Sequence, residues 1–193
     1  MEVLECINKR NSIRRFVQDQ IEDKNLQTII DAARIAPSAA NLQPLEYIII
    51  NKQEQCASIF PNIGWAGYIK PIWKPEKHER PTAYVAIINT QPKNSYVDLD
   101  VGIAMAYIVL SAKSLELDSC ILCKINKKEL KHILKIPDFI ELKALIALGK
   151  RNETVQREEN INEVKYWRDK KEILHVPKKP LSSIIHEQFY NKI

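Results

Sequence analysis

The stretch DLDVGIAMAYIVLSAKSLEL, residues 98–117, constrains this chain more than any other. It keeps helical length and composition yet is apolar nearly all round, with no charge from Val101 to Ala112. Such a helix has little face to give to water, so other layers must pack around it. It is also too short to span a bilayer. No window of about 18 uncharged apolar residues occurs anywhere in the chain, so no membrane span is expected.

The flanking pattern supplies those layers. Residues 1–9 read as a short helix with Val3, Leu4 and Ile7 on one face. A second helix begins behind Asp23, a candidate N-cap, with Leu26, Ile29, Ile30 and Ala33 at helical spacing. Leu45–Ile50, TAYVAIINT (82–90), SCILCKI (119–125) and LKALIALG (142–149) read as strands, and residues 53–60 as a short helix. NKKEL opens a further helix with Asn126 as cap and Glu129 three residues on, a capping-box pattern. Residues 61–81, with four prolines beside Trp65, Tyr68 and Trp73, read as an irregular excursion with aromatic anchors. Strands and helices alternate after a helical start, which predicts an α+β or α/β three-layer protein, one domain over residues 1–193. Residues 150–193 form a polar tail without a core of its own, of the kind that packs on its own domain or wraps a partner.

Composition removes several classes of function. Only four glycines are present, so no glycine-rich phosphate loop can be written; a phosphate would need cationic side chains, hydroxyls or helix ends. A net charge of +5, with cations interleaved among acids, does not announce a nucleic-acid binder. The start, MEVLECINKR, lacks a long apolar stretch and a small-residue cleavage site, so no export signal is expected. Four cysteines in such a chain are then expected as reduced thiols in a cytoplasm.

Four segments carry candidate chemistry. In RNSIRRF, Arg10, Ser12 and Arg14 alternate, which in an extended segment places them on one face, two guanidiniums about a hydroxyl. The same residues also suit a solvated basic turn at a helix C-terminus. In APSAANLQPLEYIII, Ser38, Asn41 and Gln43 lie between Pro37, which ends a helix, and Pro44, which leads into a strand. The Asn41 and Gln43 amides would point together in an extended loop and suit a ligand edge of alternating donors and acceptors; the three residues would equally serve a self-satisfying turn. In CILC, strand geometry would turn Cys120 and Cys123 to opposite sides, so both are expected as buried structural thiols rather than metal or redox ligands. Lys178 and Lys179, like His175, matter only if the tail returns to an anion site. No nucleophile–base set, paired-carboxylate motif or metal cluster stands out. No catalytic side chain and no metal are therefore assigned, and an enzyme built this way would rely on a cofactor.

In their order these segments resemble the FMN-dependent nitroreductase family. RNSIRRF resembles its R-x-S-x-R phosphate segment, and APSAANLQP its P-S-x-x-N-x-Q-P motif. ERPTAYVAII, DVGIA opening a long helix, INKKELKHILKIP and ALIALG follow in the family order, and KYWRD with HVPKKPLSSII resembles the tail of one compact subgroup. The resemblance implies an α+β, nitroreductase-like three-layer fold: a central, mainly antiparallel sheet flanked by helices, with the tail packed on a partner subunit. It implies a homodimer with two FMN sites at the interface. Arg10 and Ser12 would hold the phosphate and Arg14 would lie toward the flavin. Pro37, Ser38, Ala39, Asn41 and Gln43 would reach it from the other subunit. Leu122 and Cys123 would lie beside the ring, and Lys178 or Lys179 would close on the phosphate. The implied chemistry is ping-pong hydride transfer from NADH or NADPH through FMN to a small acceptor such as a nitroaromatic or quinone. Four positions depart from the family pattern: Ala106 and Tyr107 replace a polar pair, Cys123 stands where glycine is common, and Lys150 stands where an aromatic is usual. Cys123 and the Ala106–Tyr107 replacement motivate an alternative, a flavin-binding or flavin-sensing protein with little turnover.

Overall fold

The structure is a computed structural model and describes residues 1–91, 94–160 and 162–189. The chain divides into two compact units, Met1–Trp65 with Lys74–Asn152, and Ala66–Trp73 with Glu153–Ile193.

The first unit is built on a four-stranded antiparallel sheet in the order β1 (Leu45–Ile50), β2 (Ala83–Asn89), β4 (Glu141–Gly149), β3 (Asp118–Leu122). The register runs Leu45 to Asn89 and Ile50 to Tyr84 between β1 and β2, and Asp118 to Gly149 between β3 and β4. All seven residues of β2 are buried, as is β4 from Ala144 onward. One face of these strands, Ala83, Val85, Ile87, Ile146 and Leu148, packs with Leu26, Ile29 and Ala33 of α2 (Asp23–Arg34) and with Ile108 and Ala112 of α4 (Val97–Ser114). Tyr84 and Ala86 point to the other face and are buried there too. Burial on both faces explains why TAYVAIINT saturates with apolar residues instead of alternating. Two shorter helices complete the unit's inventory, α3 (Gln53–Ile59) and α5 (Lys127–Ile133), and the Asn126 side chain accepts from Glu129 N as its cap. The predicted α+β fold class, with a central antiparallel sheet and flanking helices, is what the structure shows.

Three local expectations change. Glu22, not Asp23, is the N-cap of α2; Asp23 is its first residue, and its carboxylate accepts instead from Asn51 Nδ2 at 2.6 Å. Helix α1 (Val3–Lys9) buries Cys6 and leaves Val3 and Leu4 about 70% exposed. Helix α4 is buried along one side, but Leu99, Gly102, Ala106 and Tyr107 are exposed on the other. Within one chain the most apolar helix is only half covered.

The second unit gathers the tail and residues 66–73 around a three-stranded sheet, β5 (Val155–Glu159), β6 (Trp167–Arg168) and β7 (Leu174–Lys178), in the order β5-β7-β6. Here β5 and β7 are parallel while β6 and β7 are antiparallel. The apolar burial is small, Leu174 and Pro177 within β7. Polar and aromatic contacts do the rest. Arg168 pairs with Glu153 at 2.5 Å and lies over the Trp73 ring at 4.9 Å; Tyr68 meets Tyr166 edge-on at 5.0 Å. The sequence pattern shows a tail without a core; the structure shows a small sheet with a buried ion pair at its edge strand.

Candidate functional site

Residues 10–17 run extended after α1, which closes with Arg10 N donating to Cys6 O. Ser12 bridges Ser119 in parallel, Ile13 N donates to Ser119 O, and Phe16 bridges Arg151. The segment therefore lies along the outer edge of β3. Ile13 and Phe16 are fully buried, and between and before them Arg10, Ser12 and Arg14 stay half-exposed. Among the described residues the Ser12 hydroxyl makes no hydrogen bond, while Arg14 Nη1 donates to Ser12 O at 3.3 Å. From Ser119 the segment runs toward the start of β3, where Phe16 meets Gly149 and Arg151; Leu122, buried, and Cys123, exposed, lie at the other end of that strand.

Two contacts fix this edge. Phe16 packs so closely on Gly149 that a Cβ there would stand 2.7 Å from the ring, so only glycine admits it. Arg151 forks onto Asp118 at 3.0 and 3.1 Å, and Lys113 Nζ reaches the same carboxylate at 2.9 Å, which ties α4, β3 and the end of β4 together.

The second cluster is the connection from α2 to β1. Its middle is not extended, as the alternation argument assumed, but a single 3-10 turn, Ala39–Asn41. Ala40, Asn41 and Gln43 all have left-handed φ, 49°, 55° and 49°, which is costly for residues with a Cβ. The loop is held there by its neighbours. Ala39 N donates to Asp100 Oδ1 at 2.9 Å, Gln43 N to Ser38 Oγ at 3.0 Å, and Gln91 Nε2 to Leu42 O at 3.0 Å. The Gln43 amide turns back to Asn41 O at 3.3 Å. Ser38 and Gln43 thus support the turn itself, whereas the exposed Asn41 carboxamide makes no hydrogen bond among the described residues. A cleft of about 450 Å³ opens beside the loop, lined by Pro37, Ser38 and Gln43 with Arg34, Tyr47 and Asp100. The second oxygen of Asp100 is buried at that cleft without a partner.

Asp100 escaped the sequence-based assignment. Its signal was present, an acid in the first turn of a helix otherwise apolar to its end, two residues before Gly102. Cys120 is buried as expected; Cys123 is not, because β3 ends at Leu122 and the chain leaves the sheet. Lys178 and Lys179 are exposed at the end of β7 in the second unit.

The two clusters of the first unit sit at opposite edges of the four-stranded sheet, and residues 12–16 lie toward the Gly149 end of β4, whereas the loop enters at the Leu45 end of β1, beside Asn89 and Glu141. The loop precedes β1, and the Arg10–Arg14 segment flanks β3. Three strand spacings, about 14 Å, separate those edges.

Comparison with known proteins agrees with this architecture. An FMN-dependent nitroreductase of Clostridium difficile R20291 superposes with a TM-score of 0.72 at 23% identity, over 97% of this chain and 99% of that one. A nitroreductase family protein of Clostridium novyi NT is 29% identical, with 78% of this chain and 87% of that chain covered and a TM-score of 0.65. A protein of Archaeoglobus fulgidus, provisionally named NADH dehydrogenase/NAD(P)H nitroreductase, is 28% identical over 158 residues, 77% of this chain and 84% of its own. With its residues 7–150 matching the nitroreductase family as a whole, the chain belongs to that family.

Proposed function

We propose that this protein is an FMN-dependent NAD(P)H oxidoreductase that works as a homodimer, with each flavin held between two subunits. The placement of the two clusters carries this reading. Arg10, Ser12 and Arg14 on one edge, and Asn41 on the other, stand too far apart in one chain to grip a single ligand from both sides. A second copy, related by a two-fold axis, would bring the loop of one subunit to the basic segment of the other. The bare apolar sides of α1 and α4, with Val3, Leu4, Ile7, Leu99 and Tyr107 exposed, offer the surface such a pairing would bury.

The donor set fits FMN. A free serine hydroxyl between two arginines suits a phosphate monoester, and an unpartnered carboxamide on a loop with fixed backbone suits the edge of the flavin ring. The chemistry supplied by bound FMN is ping-pong transfer of a hydride from NADH or NADPH to a small acceptor, a nitroaromatic or a quinone. The protein's part is orientation and charge. Arg10 and Ser12 would bind the phosphate, and Arg14 would place positive charge where reduction adds negative charge. Asp100 would hold the Ala39 amide, and through it the loop, in its left-handed form. Leu122 and Cys123, at the end of β3, would border the ring. Lys178 and Lys179 are not needed in this arrangement.

A second reading, a flavin-binding protein with little turnover, is favoured by Cys123, an exposed thiol where a smaller group is usual in the family. The visible spectrum of the purified protein, taken without oxygen before and after NADH or NADPH, separates the two. One FMN per subunit that bleaches supports the oxidoreductase; a spectrum that persists supports the second reading; no flavin after reconstitution overturns both. Co-expression of Arg10→Ala and Asn41→Ala chains tests the shared site. Mixed dimers should regain one competent site in two, and failure to do so would mean that each subunit holds its flavin alone.

A further inference from the structure

The end of the sheet away from the Ser38–Gln43 loop carries a second polar cavity that the flavin reading does not use. It lies beyond the last residue of β1 and the first of β2, roughly 17 Å along the strand from the Ser38–Gln43 loop. Its volume is about 270 Å³. That is at the small end for pockets that take small molecules.

Its lining is of one electrical sign. Lys52, Lys77 and Arg80 contribute cations, and Gln18, Gln20 and Gln53 contribute carboxamides; no carboxylate lines it. The nearby acids are turned elsewhere. Glu79 pairs with Arg15 at 3.3 Å, Glu76 caps the turn Lys77–Glu79, and Asp23 accepts from Asn51. Among the described residues, none of Lys52, Lys77 and Arg80 has an ion-pair partner. The Arg80 guanidinium is steadied instead by the Phe60 ring, 3.9 Å from its centroid, and its Nε is buried without an acceptor. Thr82 Oγ1, also lining the cavity, is buried without a partner. A polar atom left unpaired in a folded interior is costly unless a ligand or water completes it. Cys56 lines the cavity as well, and burial pushes its thiol up to about 11, so it stays neutral and does not repel an anion.

We propose that this cavity is a binding site for a small phosphate-bearing molecule. Three cations without counter-ions favour a doubly charged oxyanion, Arg80 Nε and Thr82 Oγ1 supply buried donors, and the volume limits the ligand to about a phosphomonoester. The inference is independent of the flavin assignment, because none of the residues proposed to hold FMN lines this cavity.

The test is a titration of the FMN-saturated full-length protein with inorganic phosphate, followed by backbone amide NMR shifts at constant ionic strength, with acetate as the control anion. Saturable shifts at residues 18–20, 51–57 and 77–82 with phosphate, and weaker ones with acetate, are expected. Lys52 and Lys77 are exposed, so Lys52→Gln/Lys77→Gln should fold normally and weaken phosphate binding about tenfold. Absence of saturable shifts in this region overturns the proposal. So does equal response to acetate, or phosphate binding unchanged in the double variant.

Discussion

The two sheets of this protein are held by different physics. The four-stranded sheet buries β2 along its whole length and nearly all of β4, so its stability scales with apolar surface removed from water. The tail sheet buries two residues of β7, and beside them Arg168 of the edge strand is buried, paired to a fully buried Glu153 side chain and stacked on Trp73. A core of the first kind tolerates loss of atoms by leaving a cavity. A core of the second kind does not tolerate loss of one partner, because the other charge stays buried. The first kind is written as an apolar run; the second is written as scattered charges and rings.

The largest effect should come from the first sheet. Phe16→Ala should destabilise by about 4 kcal/mol in urea unfolding, since it empties a fully buried ring site at the sheet edge; a loss below about 1 kcal/mol would show that the edge is not part of the core. Next, Arg168→Met should cost about 3 kcal/mol and loosen the tail, read as early protease cleavage within residues 153–189, while Glu153→Leu added to it should restore most of the resistance. If the double variant is worse than the single, an ion pair is not what holds the second sheet. Gly149→Ala should cost about 2 kcal/mol by pushing the added Cβ into the Phe16 ring, and combining it with Phe16→Ala should cost less than the sum.

The smallest effect depends on pH. The hydrogen bond to Glu158, with help from Asp169 at 3.3 Å, raises the His175 pKa above its usual value in spite of desolvation. Protonated His175, stacked on Trp167 at 4.9 Å, therefore stabilises the tail sheet. That contribution is complete below the unfolded value near 6.5 and is lost as pH rises through the raised folded value. Fluorescence-detected melting of wild type and His175→Gln should differ most near pH 6 and converge toward pH 9. A gap that stays constant across this range would remove the charge argument.

The same contrast explains what was legible in the sequence. Residues 82–90 and 142–149 contain β2 and most of β4, because runs buried on both faces leave an unbroken apolar record; Leu45–Ile50 is also the strand expected, legible from its β-branched run although only Ile50 is fully buried. The capping residue Asn126 was legible because capping is a local matter. VQREE and WR carry no such record, so β5 and β6 were not recognised; their order comes from pairing with β7 and from rings and charges distant in sequence. Of the candidate site, Arg10, Ser12 and Arg14 were legible as an alternation, since that segment is extended. The geometry of Ser38, Asn41 and Gln43 was not. It depends on left-handed residues that are not glycine, held by Asp100 from a helix some sixty positions away.

The contact between Phe16 and Gly149 constrains change. With the ring in place, nothing larger than hydrogen fits at 149; once the ring is gone, the space is open. Variation at these two positions is therefore coupled. A side chain at 149 and an aromatic at 16 compete for one space, so a lineage that drifts from this sequence passes through a chain that packs poorly whichever position changes first.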